Sequence, residues 1–106
     1  MTELPTENVI YICNKSVEIL RTDICLEDKF SKLVTMLENE VGIVIAFCEI
    51  ISPRWKFIAG SKDFSTPLYK YSNEVSNYGI MIQDWGSIGG ESLMFIDVLF
   101  ENFNSK

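Results

Sequence analysis

Apolar positions near the start of the chain recur at helical spacing. Val9, Ile10, Ile12, Cys13, Val17, Ile19 and Leu20 fall on one half of a helical wheel, and Glu7, Asn8, Tyr11, Asn14, Lys15, Glu18 and Arg21 fill the other. Strand alternation fails there, because Val9-Ile10 and Ile19-Leu20 would point to opposite faces. The pattern predicts a helix over 6–21, with Thr6 after Pro5 as its N-cap. After a break at Thr22-Asp23, Phe30, Leu33, Val34, Leu37 and Val41 repeat at three and four, and Gly42 is placed to end this second helix as its C′ residue.

Beyond Gly42 the pattern shortens to runs of β-branched and aromatic residues separated by turn formers. Residues 43–51 are apolar on both faces except at Glu49, as in a buried central strand, and Ser52-Pro53 turns the chain into an antiparallel partner over 55–59. Residues 60–77 suit a long ordered loop with a short strand near 68–71. Residues 78–85 alternate, Ile80, Ile82 and Asp84 against Met81, Gln83 and Trp85. Residues 93–103 admit two elements. A strand puts Met94, Ile96, Val98 and Phe100 on one inner face; a helix capped by Ser92 puts Asp97 and Glu101 one turn apart on a polar stripe. The density of Phe, Ile and Val favours the strand. Helices gathered at one end and hairpin-spaced strands at the other predict an α+β fold: two N-terminal helices on a mostly antiparallel sheet of about four strands.

The 106 residues suit a single domain over 1–106, and an apolar share of 47% argues against disorder. Residues 1–7 lack the basic and apolar regions of a signal peptide, and the longest apolar run, 41–48, is too short to span a bilayer, so a soluble, cytoplasmic protein with no membrane association is expected. Cys13, Cys25 and Cys48 have no metal-site or redox spacing and are expected as buried free thiols.

Histidine is absent, which removes the commonest general base and metal ligand and every Ser-His or Cys-His nucleophile pair. Gly86, Gly89 and Gly90 lie between Asp84 and Glu91 with no Lys following, a poor setting for phosphate and a good one for a tight connection. The carboxylates lack the alternation of a calcium loop. A carboxylate-based enzyme needs a cleft deep enough to shift a pKa, and a domain this small offers little depth. No enzyme activity and no cofactor is expected.

Charge supplies the remaining signal. Residues 1–53 hold nine acids and four bases, 54–70 one acid and four bases, and 71–106 five acids and one base, for a net charge of −6. That field opposes a nucleic-acid backbone. Arg54, Lys56, Lys62 and Lys70 can answer the flanking acids within the fold. From Tyr71 to Ser105 the carboxylates Glu74, Asp84, Glu91, Asp97 and Glu101 occur without a single Lys or Arg, alongside Tyr71, Tyr78 and Trp85. Such acids are either solvated or aimed at a basic protein, and Trp85, at a strand end before a glycine loop, is either core or an interface anchor. Trp55, in a hairpin strand, is expected in the core.

The small acidic domain without histidine, and the segment Tyr78-Gly79-Ile80-Met81-Ile82-Gln83-Asp84-Trp85-Gly86, resemble the immunity proteins of bacterial toxin systems, including those of contact-dependent growth inhibition. The resemblance implies an inhibitor that occludes a cognate toxin, often a basic nuclease. In that role Asp84, Glu91, Asp97 and Glu101 would stand in for substrate phosphates and Tyr78 and Trp85 would be anchors. The alternatives are a phage or plasmid anti-defence or adaptor protein that mimics nucleic-acid charge, and a small carboxylate enzyme.

Overall fold

The structure, a computed structural model, describes residues 5–73, 76–88 and 93–103. Helix α1 (Pro5–Leu20) begins with the proline itself, whose fixed φ and missing N–H suit the first helical position, so Thr6 lies inside the first turn and not at the cap. Its C-terminus is closed from outside: the Lys29 ammonium of α2 (Leu26–Val41) donates to the Leu20 carbonyl at 2.7 Å, placing a cation at the negative end of the helix dipole. Helix α2 carries Glu27 and Asp28 in its first turn and ends at Gly42 with φ 72°, where the N–H groups of Gly42 and Ile43 return to the Glu38 and Leu37 carbonyls.

Four strands follow, β1 (Val44–Ile51), β2 (Arg54–Gly60), β3 (Tyr69–Ser72) and β4 (Tyr78–Asp84), in the order β2-β1-β4-β3 with every neighbour antiparallel. The sequence pattern left this order open; β1, the strand apolar on both faces, takes an interior place. Helix α2 lies across β1 and β2, and α1 packs on α2 and on a third helix. The expected class, α+β with two helices ahead of an antiparallel sheet, is what forms.

That third helix, α3 (Leu93–Phe103), corrects the strand expected over 93–103. Phe95, Ile96, Leu99, Phe100 and Phe103 are buried, a helical stripe, whereas Met94, which a strand would have buried, is exposed. A helix buries five large side chains of this segment against α1 and the core; a strand would have added to a sheet whose hydrophobic face is already covered. β-propensity reports fit to a sheet surface, so it carries no weight where no such surface is free.

A ring cluster joins the layers. Phe30 of α2 stacks on Phe47 of β1 with centroids 4.6 Å apart and planes at 6°. Phe103 of α3 meets both edge-on at 5.1 and 6.1 Å, and Tyr78 of β4 meets Phe30 at 5.6 Å and Phe103 at 6.0 Å. The opposite sheet face is covered by two large rings laid flat. Trp55 lies over Gly79, where a Cβ would stand 2.4 Å from the indole, and Phe57 lies over Gly60, where a Cβ would stand 2.7 Å from its ring. These rings account for the burial of Ala46 and Cys48, which point away from the helices. Trp55 is half-buried there, with the Lys70 ammonium 5.4 Å above its ring.

Gly86, in a short 3₁₀ turn (Gly86–Ile88) after β4, has φ 65° and sits so close to the end of α2 that a Cβ would stand 2.1 Å from the Val41 carbonyl oxygen. Gly42 has a similar φ but open space around it. Gly42→Ala is therefore expected to cost about 1 kcal/mol, the left-handed backbone penalty alone, and Gly86→Ala at least about 3 kcal/mol because backbone must also move. Urea denaturation of the two variants measures the difference.

Candidate protein-binding face

Among the described residues singled out along the sequence, Asp84, Asp97 and Glu101 are exposed, Tyr78 is half-buried and Trp85 is buried, so they do not all serve one exposed face. Asp84 ends β4, exposed, and its Oδ1 accepts the Gly86 N–H at 2.8 Å, so this carboxylate also shapes the turn that seats Gly86 against α2. Tyr78, half-buried, spends one side of its ring on Phe30 and Phe103 and lines a cleft with Leu26, Glu49 and Lys56. Glu91, like Glu74, lies outside the described residues.

Trp85 is the main correction. It is 6% exposed and contacts Tyr69, Tyr71 and Phe95 at 6.1 to 6.4 Å between ring centroids, so β3, β4 and α3 close around it. Its indole N–H meets no acceptor among the described residues. A ring held on all sides cannot anchor a partner without leaving the core; its work is structural.

Asp97 and Glu101 keep the expected exposure, on a helix and not on a sheet face. At i and i+4 they stand one above the other on the side of α3 opposite its buried stripe, and α3 carries no Lys or Arg. Leu93 and Met94, 56% and 46% exposed, occupy the turn before Asp97 on the same outer side. This is an acidic patch with an apolar border, built on one rigid element. Leu93 and Met94 were not singled out along the sequence, because a strand reading buried Met94 and attached no role to Leu93.

The mid-chain cations lie elsewhere. Arg54 and Lys56 are on β2, Lys62 follows it, and Lys70 is on β3 over Trp55. The described acids of 71–105 thus lie at the end of β4 (Asp84) and on α3 (Asp97 and Glu101), and the cations along β2 and β3 and just after β2. Cys13 and Cys48 are buried free thiols as expected, but Cys25, in the turn before α2, is exposed. Burial pushes the Cys13 thiol up from its ordinary 9.0, and burial does the same for Cys48 against the opposing charge of Lys70. Among the described residues no three of His, Cys, Asp and Glu gather as a metal site, and no helix is long and apolar enough to cross a membrane. No family model, curated protein or solved structure matches the chain.

Two measurements test these placements. Trp85→Ala is expected to cost about 3–5 kcal/mol, the range for emptying a buried aromatic site, read as a lowered urea midpoint. At neutral pH a thiol reagent should label Cys25 quickly and Cys13 and Cys48 only on unfolding. Because the raised pKa values hold those two thiols neutral in the fold, the stability they contribute is complete below their ordinary 9.0 and lost as pH climbs past it. Cys13→Ala/Cys48→Ala should lack that loss.

Proposed function

We propose that this chain is an immunity-type inhibitor, acting in the cytoplasm of a bacterial cell, that neutralises a basic toxin domain through the outer face of α3. The observation that supports the reading is the pair Asp97 and Glu101, exposed one turn apart on a helix without a cation and bordered by Leu93 and Met94. Two carboxylates at that spacing can meet the Lys or Arg side chains with which a nuclease holds phosphate, and rigid placement on a helix avoids an ordering cost on binding.

The division of labour follows from general interface physics. Exposed charges mainly raise the encounter rate and choose the partner, while desolvated apolar side chains slow dissociation. Asp97 and Glu101 fill the first role, with the net charge of −6 adding long-range attraction. Leu93 and Met94 fill the second, in place of the buried Trp85.

The test is co-expression with the product of the neighbouring gene and titration of that protein at low and high salt. A complex that protects cells and weakens as salt rises is expected, with Asp97→Lys/Glu101→Lys weakening it about 100-fold at low salt and leaving the circular dichroism and urea midpoint unchanged. Full protection by the double variant overturns the reading.

A further inference from the structure

The outer edge of β2 is an unused row of hydrogen-bonding groups beside a groove. In the order β2-β1-β4-β3 nothing among the described residues pairs with it. The phase of the ladder identifies the free groups. Ile50 donates its N–H to Asn77 on the β4 side of β1, so Trp55, which pairs with Ile50, turns its own N–H and C=O away from β1. Ser61 donates to Ile45, so the preceding Gly60 turns outward as well. Between them the strand bulges: Phe57 pairs with Cys48 and Ala59 with Phe47, leaving Ile58 as the extra residue.

Two clefts open between α2 and the sheet, one running inward from β2 over β1 to β4 and the other confined to α2 and β2. One, of about 220 Å³, is lined by Leu26 and Phe30 of α2, Lys56 and Ile58 of β2, Glu49 of β1 and Tyr78 of β4. The other, of about 370 Å³, is lined by Val34, Thr35, Glu38, Ile58, Gly60 and Lys62. Phe57 and Ile58 line both, so the two clefts meet at the bulge. Phe57, whose ring lies against Gly60 on the other side of the sheet, is 59% exposed as a residue.

We propose that β2 binds an extended polypeptide segment by strand addition, the segment lying between β2 and α2 with apolar residues at alternate positions. The backbone groups of Trp55 and Gly60 select an extended chain, since only a strand presents donors and acceptors at that spacing. The cleft confined to α2 and β2 takes an apolar side chain from one face of the added strand, and the residues on either side of it in the segment cover the Phe57 ring on the other face. The lining of each cleft carries both signs, so the groove selects by shape and apolar content more than by net charge. The bulge, together with Lys56 and Lys62, guards the edge against indiscriminate pairing. This site is separate from the α3 face, and a partner held by Asp97 and Glu101 leaves the exchange of the Trp55 and Gly60 amides unchanged.

The probe is an acetylated, amidated heptapeptide Thr-Val-Thr-Val-Thr-Val-Thr, with two versions N-methylated either at every Val amide or at every Thr amide. The full-length protein is followed by amide hydrogen exchange and ¹⁵N chemical shifts. Saturable binding is expected, with shifts along β2 and α2 and exchange at Trp55 and Gly60 slowed about ten-fold or more. One methylated version should bind within about three-fold of the parent and the other at least about ten-fold more weakly, because only one edge of the peptide pairs. Absence of saturable binding, equal binding of the two methylated versions, or shifts confined to α3 overturns the proposal. So does a concentration-dependent dimer in sedimentation that protects the same amides without peptide, which assigns the edge to a second copy.

Discussion

The stacking of Phe30 on Phe47, closed from the side by Phe103, is the contact on which the rest of the structure depends. One ring comes from α2, one from an interior strand and one from the last turn of α3, so three elements distant along the chain are fixed by a single packing arrangement. Tyr78 extends it to β4. Stacked and edge-on rings gain from their quadrupoles beyond the area they bury. Phe30 also lines the cleft that runs from β2 over β1 to β4, so the core and that cleft share a wall.

Helices α1 and α2, the β1–β2 hairpin and β4 were visible in the sequence because each is specified locally, by a 3.6 or two-residue period and by stop residues such as Gly42 and Ser52-Pro53. The segment 93–103 was not, because its two faces are separated by a choice the segment does not make alone. Met94, Ile96, Val98 and Phe100 alternate as well as Phe95, Ile96, Leu99 and Phe103 recur. What decides is Phe103 reaching Phe30 and Phe47, a contact spanning more than half of the chain. The strand order was hidden for the same reason.

The candidate face was readable in part. That Asp97 and Glu101 lie in solvent follows from either element, since both readings set them opposite an apolar row. Trp85 was ambiguous because its surroundings are supplied by Tyr69, Tyr71 and Phe95, none of them its neighbour in sequence. A glycine-flanked tryptophan after an aspartate looks like a loop-edge anchor until β3 and α3 close over it. Trp55 is the converse: expected in the core, it is half-buried on the sheet face away from the helices. Its position there depends on Gly79, whose missing side chain leaves room for the indole.

The glycines explain how so small a domain covers both faces of its sheet. Helices cover one face; on the other, Trp55 and Phe57 fold down over Gly79 and Gly60, replacing a second layer with two side chains. Covering a face in this way seals Cys48 and Ala46 but adds no backbone beyond β2, so the edge of that strand keeps its free N–H and C=O groups. A second helical layer would have needed a crossover connection past one edge or the other. The open edge of β2 is thus a consequence of the same economy of chain that hides the aromatic residues and leaves the α3 carboxylates outermost.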